Sequence, residues 1–398
     1  MFDVIVIGAG PGGSTATRFL AMSGLDVCLI DKDEFPRDKP CGGGFSRSII
    51  DDFPYLKSRT TEFLKGIARI GVLHSPNRRI VLEGRVDMAL ALRTDFDYVL
   101  FEEAVSAGAS PLTNARAKKV SVHDTKVSVE LANGKTVEGK IMIGADGVTS
   151  MVAREVGLNK RWPSSSVTAC RVCEVPASTQ DILDRYSSDL KYHFFTNFGN
   201  QPGYGWIFPK QETINIGLGI VGTHARGLPR MFDAFVRYLK KRDLLPENAD
   251  VSTPKGALVP TSGPIRQTII DRCLLVGDSA GQVSPLTGGG IGNAMKAGRY
   301  AAQVVAQAIE HDSVDTTSLE EYQKLWQSDF GGGLQKQLVA QKVFTSPFTN
   351  LLFHIGSKDD RIQEIVSDSM DESSGGEIDV KQLAYRALVV CLREAFKL

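Results

Sequence analysis

Residues 3–7 (Asp3-Val4-Ile5-Val6-Ile7) are almost continuously apolar, the pattern of a strand buried on both faces of a parallel sheet. A glycine-rich turn follows, then Ser14 to Ala21 at helical spacing, ended by Gly24. Val27-Cys28-Leu29-Ile30-Asp31 reads as a second buried strand. A strand–helix–strand unit of about 30 residues opens a doubly wound fold.

The pattern then changes. Ile70–Leu73 and Ile80–Leu82 are short β-rich runs around Ser75-Pro76-Asn77, an antiparallel hairpin foreign to a parallel sheet. Phe96 to Ala107 is a helix with Phe96, Val99, Leu100 and Ala104 on one face. Val120–Val122 and Val127–Leu131 make a β-meander, and Ile141–Gly144 is another buried strand. Residues 166–221 are β-rich and aromatic, 228–245 helical, and Cys273–Gly277 again a buried strand. Helix dominates from 291 onward, with Ser367–Gly376 the most loop-like stretch. The predicted class is α/β (α+β overall). A Rossmann-like domain covers 1–66 with 84–160 and 256–310, an antiparallel-sheet substrate domain 67–83 with 161–255, and a C-terminal helical region 311–398.

Composition narrows the function classes. The 398 residues carry 46 basic and 46 acidic side chains, so a uniformly basic surface is absent and no nucleic-acid partner is expected. At 42% apolar and 23% charged, the chain is too apolar for a disordered one. Six cysteines in so long a chain do not make a disulfide scaffold. The N-terminus lacks a basic n-region, and no stretch approaches the ~18 apolar residues of a spanning helix. A cytoplasmic protein is expected, at most touching the inner face of the cell membrane. Val380, Leu383, Ala384, Ala387, Leu388, Cys391, Leu392 and Ala395 share one face of a C-terminal helix. That face either docks on the protein's own core or lies in a lipid interface.

Gly8-Ala9-Gly10-Pro11-Gly12-Gly13 is a G-x-G-x-x-G between strand and helix. Gly8, Gly10 and Gly13 suit a tight turn, close approach to a pyrophosphate, and close helix–strand packing. Asp31, ending the next strand, is placed to accept from a ribose hydroxyl. A second match, Gly217 to Gly222, has no good helix after it and reads as strand and turn. Asp146 and Asp278 each follow a buried strand. A carboxylate there accepts from ribityl hydroxyls, braces a loop near the cofactor, or merely caps a helix. Cys170-Arg171-Val172-Cys173 is a C-x-x-C in a strand, which sends its thiols to opposite faces, so no metal is expected. Cys28 and Cys273, inside buried strands, are expected to be inert.

The fingerprint followed by the two aspartate strings resembles the three signatures of the para-hydroxybenzoate hydroxylase-like FAD flavoproteins. The resemblance implies FAD, with Arg93 as the arginine reaching it, Ala117 a further contact, and Gly290-Ile291 backbone near the flavin. Lys39-Pro40-Cys41-Gly42-Gly43-Gly44 and Gly203-Tyr204-Gly205-Trp206-Ile207-Phe208-Pro209-Lys210 are similar to strings of the geranylgeranyl reductase family. Gly256-Ala257-Leu258-Val259-Pro260-Thr261 adds to that similarity, which runs from residue 2 to about 310. It implies reduction of isolated double bonds in geranylgeranyl chains on a lipid, pigment or quinone, with ferredoxin or NAD(P)H as electron donor. It places Cys41, Gly42 and Gly44 beside the flavin and Tyr204 and Trp206 in the substrate domain.

Reducing an unactivated alkene needs a hydride and a proton placed on opposite ends of the bond, in a dry apolar slot. Tyr204 and Trp206 share strand parity and face one side, and with Phe194, Phe195 and Phe198 are candidates to line that slot. Such aromatics also serve as ordinary core. Cys41 is a candidate proton donor, a packing residue or a flavin neighbour. Val343 to Phe353 is a second apolar candidate for the channel. Two rival readings share part of this evidence. A flavin monooxygenase or halogenase has the same FAD signatures, but the halogenase W-x-W-x-I-P string has Tyr204 and Phe208 here. A non-catalytic prenyl-chain binder would not need an intact phosphate turn.

Overall fold

The N-terminal apolar run forms the strand Phe2–Ile7, which lies between Val27–Ile30 and Thr136–Gly144, parallel to both. In this computed structural model, residues 1–359 are described, together with Arg361, Ile362, Arg386 and Val390. Ser110–Leu112 and Cys273–Leu275 extend the sheet in parallel on its two sides. The meander Ala117–Val122 and Val127–Leu131 hangs antiparallel on Thr136–Gly144. Strand alternation decides what each face meets. Val4 and Val6 face the helices Pro11–Met22 and Ile291–Glu310, while Ile5 and Ile7 face Val127 and Val129 of the meander. The two helices touch backbone to backbone, since a Cβ on Gly298 would lie 2.3 Å from the Gly12 carbonyl oxygen.

Among the described residues, the second sheet has eight strands. Its order is Lys255–Pro260, Val167–Pro176, Thr213–Val221, Gly203–Pro209, Tyr192–Thr196, Leu64–His74, Val81–Ala91 and Gly44–Ser46. Among the described residues, only the pairing of Tyr192–Thr196 with Leu64–His74 is parallel in this sheet. The helix Leu228–Lys241 covers one face, burying Phe232, Phe235 and Leu239 against Ile214, Ile216, Leu218 and Phe195. The opposite face carries Cys170, Val172, Phe194, Trp206 and Leu90. Cys170 and Cys173 thus lie on different faces, as strand parity requires.

The hairpin is longer than the runs Ile70–Leu73 and Ile80–Leu82 suggest, because its strands reach back to Leu64 and on to Ala91. Register shifts at Leu64/Gly66 and Ala68/Ile70 interrupt the period-2 pattern that would have announced it. The second glycine string falls in the strand Thr213–Val221 and a single 3-10 turn, Gly222–His224. Beyond residue 310 come the helices Thr316–Trp326, Gly332–Phe344 and Thr349–Gly356. The expected apolar face from Val380 to Ala395 and the loop Ser367–Gly376 lie outside the described residues. Among the described residues, no helix is long and apolar enough to cross a membrane.

Candidate active site

A cavity of about 1010 Å³ runs from the glycine turn at one end to the aromatic strand of the second sheet at the other. The glycine turn ends at the helix Pro11–Met22, whose N-cap Gly10 offers no side-chain hydrogen bond. The helix Ile291–Glu310 begins at the same cavity and is likewise uncapped at Gly290. Two helix N-termini with orphan N–H groups facing one cavity are cradles for negative or electron-rich atoms. Gly13 must be glycine, because a Cβ there would lie 1.8 Å from the Gly8 carbonyl oxygen. Gly10 is open, with only an Arg37 nitrogen 3.9 Å from its Cβ position.

Asp31 accepts the Ala9 N–H at 2.7 Å and the Asp33 N–H at 2.9 Å, which holds the turn to the second strand. A carboxylate has about four acceptor sites, so capacity remains for a ribose hydroxyl. Ala117 lines the same end. The two strand-end aspartates behave differently. Asp146 takes Ser150 Oγ at 2.5 Å and the Met151 and Val152 N–H groups at 2.7 and 3.0 Å, so it caps the helix Met151–Glu155. Burial raises its carboxyl above the ordinary range, and those bonds offset this only in part. Asp278 lines the cavity beside Gly290, its Oδ1 3.6 Å from where a Cβ there would be.

Arg93 opens the helix Arg93–Ser106 and forms a two-pronged ion pair with Asp97, both contacts 2.7 Å. Its guanidinium also lies within electrostatic reach of the Cys41 thiol. Burial alone would lower its pKa, but Asp97 and Cys41 outweigh that and raise it. Asp97 is fully buried and also holds Arg37 at 3.1 Å. Arg37 and Asp97 are site residues that the sequence did not announce. Arg37 sits in a run of mixed charges, and Asp97 occupies an interior helix position with no motif around it.

The Cys41–Gly44 loop lines the cavity and rests on the aromatic strand. The Gly43 N–H points at the Cys41 sulfur at 3.4 Å. Gly43 has φ +76°, and a Cβ there would meet the Ala91 oxygen at 2.0 Å. Tyr204, Trp206 and Phe208 face the cavity together, and Tyr204 stacks on Phe194 at 5.0 Å. Trp206 lies flat over Gly217, where a Cβ would be 2.0 Å from the indole. The Tyr204 hydroxyl presses against the Thr287–Gly289 loop, and burial pushes its pKa well above the usual phenol value.

Phe195 and Phe198 do not join this wall. They pack on Phe235 at 5.2 and 5.0 Å on the far face of the sheet. Neighbours in a strand point opposite ways, so Phe194 and Phe195 cannot both line one slot. Of the segment Val343–Phe353, Phe344 reaches a niche of about 50 Å³ that Tyr204 and Phe194 also line. Val343, Phe348 and Leu351 are exposed instead, on the outer side of the helix Gly332–Phe344 and of the cap and first turn of Thr349–Gly356. Cys170 also lines the cavity, but burial pushes its thiol up to about 12. Burial likewise pushes Cys28 up to about 11 and raises Cys273.

Residues 1–325 match the family described as FAD binding domain. Digeranylgeranylglycerophospholipid reductase 1 of Methanococcoides burtonii is 33% identical over 356 residues, covering 87% of this chain and 84% of that protein. The chain belongs to the digeranylgeranylglycerophospholipid reductase family. A geranylgeranyl bacteriochlorophyll reductase-like protein from Thermoplasma acidophilum superposes with a TM-score of 0.80 at 25% identity, covering 97% of this chain and 95% of that one. The flavin-dependent brominase Bmp2 shares the fold alone, with a TM-score of 0.73 at 18% identity over 100% of this chain and 99% of that one. The glycine turn, the two uncapped helix ends and the cavity between them fit the FAD that this reductase family implies.

Proposed function

We propose that the chain saturates carbon–carbon double bonds of geranylgeranyl chains on a prenylated lipid. The observation that carries this reading is one continuous cavity. It joins an anion cradle at Gly10–Gly13 to an apolar aromatic wall at Phe194, Tyr204 and Trp206, with a single loop, Cys41–Gly44, between them. Bound and reduced, FAD supplies the hydride.

In this reading Gly10, Gly12 and Gly13 with the helix N-terminus hold the pyrophosphate. Asp31 and Ala117 hold the adenosine end, Arg93 reaches the flavin, and Asp278, Gly290 and Ile291 meet the flavin and ribityl end. Asp146 serves the cofactor by shaping its loop. Tyr204, Trp206 and Phe194 hold the chain flat and exclude water. Cys41 gives the proton to the far carbon of the bond. The Gly43 N–H points at its sulfur and the Arg93 guanidinium lies near it. The Tyr204 hydroxyl is the poorer donor, because burial disfavours its ionised form. Reducing equivalents come from ferredoxin or NAD(P)H.

The direct test is mass spectrometry of digeranylgeranylglycerophospholipid incubated with the FAD-loaded, chemically reduced protein. Each reduction adds two hydrogens, whereas oxygenated or halogenated products, or none, overturn the proposal. In the same assay Cys41→Ser keeps FAD but should slow alkene reduction by about 10²-fold, the lower range for loss of a general acid. Turnover within twofold of wild type would make Cys41 a packing residue.

Val339 and Val343 are exposed on the helix Gly332–Phe344, and Phe348 and Leu351 at the start of the next one, next to the niche behind Tyr204. We assign this patch, with Lys342 among it, to peripheral contact with the bilayer holding the substrate. Phe348→Ser with Leu351→Ser should halve or more the fraction that co-sediments with anionic vesicles. Unchanged co-sedimentation moves the contact elsewhere.

A further inference from the structure

Asn215 lies in the middle of the strand Thr213–Val221, paired opposite Glu174 on one side and Phe208 on the other. It is 1% exposed and sits on the face of the sheet that otherwise presents aromatic and aliphatic side chains to the cavity. Its Oδ1 accepts the Trp206 indole N–H at 2.7 Å. Its Nδ2 donates to the Cys41 carbonyl at 3.0 Å and to Glu174 Oε2 at 2.7 Å. Glu174 also takes Lys210 Nζ at 2.8 and 3.0 Å and Thr213 Oγ1 at 2.5 Å. Lys210, too, is 1% exposed.

The donor and acceptor types leave one arrangement. An indole N–H only donates, and a carbonyl only accepts. Turning the amide over would set N–H against N–H at Trp206 and oxygen against oxygen at Cys41 and Glu174. The orientation is therefore locked. The Lys210–Glu174 pair adds little net stability, because Lys210 gives up its hydration while Glu174 stays about a third exposed and screened by solvent. What the cluster supplies is geometry. It bridges a loop and a strand that are 174 residues apart.

The loop also has no slack on this surface. A Cβ at Gly42 would lie 2.5 Å from the Phe208 ring and 3.2 Å from Trp206 Nε1, and one at Gly43 would lie 3.5 Å from Lys210 Nζ. We propose that Asn215 is a positioning residue. Its amide, held by the Glu174–Lys210 pair, ties the loop bearing Cys41 to the strand bearing Trp206 and so fixes the gap across which the double bond is held. The proposal rests on the roles given above to Cys41 and Trp206.

The test compares Asn215→Asp with the double variant Asn215→Asp/Glu174→Gln, both full length and FAD-loaded. Asn215→Asp keeps an oxygen for the indole, loses both donors and sets two carboxylates together. The double variant removes that repulsion and restores a hydrogen bond between positions 215 and 174, now running in the opposite direction. In both, the Cys41 carbonyl has lost its donor. Melting temperature, FAD content, the pH profile of Cys41 alkylation by iodoacetamide and kcat on the lipid are read for each. The single variant should lose melting temperature. The double should recover it while keeping FAD, and in both the Cys41 alkylation profile should stay displaced. In both, kcat should fall roughly 10- to 10²-fold with KM little changed, the scale of a misplacement of about 1 Å. Recovery of alkylation profile and kcat together with melting temperature would reduce the cluster to a structural brace and overturn the proposal. Wild-type behaviour in the single variant would overturn it too. If the wild-type protein does not reduce prenyl chains at all, the proposed function fails, and the alkylation profile then decides the tie on its own.

Discussion

Gly10→Glu is expected to give a folded protein that purifies without flavin. A side chain at Gly10 meets nothing closer than an Arg37 nitrogen 3.9 Å from its Cβ, so the turn can accept it without backbone movement. The added carboxylate would stand at the uncapped N-terminus of Pro11–Met22, where the orphan N–H groups attract an anion. It would satisfy those donors itself and repel the pyrophosphate. Gly13→Ala is the contrasting variant. Its Cβ would sit 1.8 Å from the Gly8 oxygen, so this change should damage the turn and the fold together. Far-ultraviolet circular dichroism and the visible flavin band, read on both proteins, separate the two effects. Full flavin occupancy in a folded Gly10→Glu protein would remove the pyrophosphate from this turn.

The contrast between Gly10 and Gly13 shows how far the sequence could be read. Spacing placed both glycines in one motif between a strand and a helix, and both lie there. Spacing could not say that one is open and the other wedged, because that depends on the Gly8 carbonyl folding back over the turn. Strand parity put Tyr204 and Trp206 on one side, and they do face the cavity together. The same parity separates Phe194 from Phe195, so only Phe194 can line this wall. Arg37, Asp97 and Asn215 were not legible. Asp97 gathers Arg93 from the same helix but Arg37 from a loop 60 positions earlier, and Asn215 meets Cys41 only through the register of Val167–Pro176, Thr213–Val221 and Gly203–Pro209. Local periodicity carries no record of such partners. Sheet order and register create them, and a one-residue slip would turn Asn215 to the opposite face.

Tyr204→Ala and Trp206→Ala are each expected to retain FAD and to lose on the order of 10² in the rate at which the reduced enzyme turns over the lipid. Neither residue belongs to the glycine turn or to the aspartate signatures, and both lie on the second sheet. Removing the Tyr204 ring takes away the surface that stacks on Phe194 at 5.0 Å and opens the niche behind it. A chain resting there could then slide, and displacement of the reacting bond by about 1 Å is enough for that loss. Trp206→Ala removes the slab over Gly217 and leaves Asn215 Oδ1 without its donor, so some loss of stability should accompany the loss of rate. Trp206→Phe would restore most of the slab without the N–H. If holding the chain is the main role, it should recover more turnover than Trp206→Ala; if the hydrogen bond to Asn215 dominates, it should not. Tyr204→Phe gives the matching comparison on the neighbouring ring. It keeps the stack and drops only a hydroxyl whose pKa is raised by burial, so its turnover should stay within about threefold of wild type, the scale of one modest hydrogen bond. Single-turnover reduction of the lipid by pre-reduced protein isolates this step from delivery of electrons to the flavin. Normal single-turnover rates in both alanine variants would make the aromatic strand ordinary core and would place the prenyl chain on another wall of the cavity.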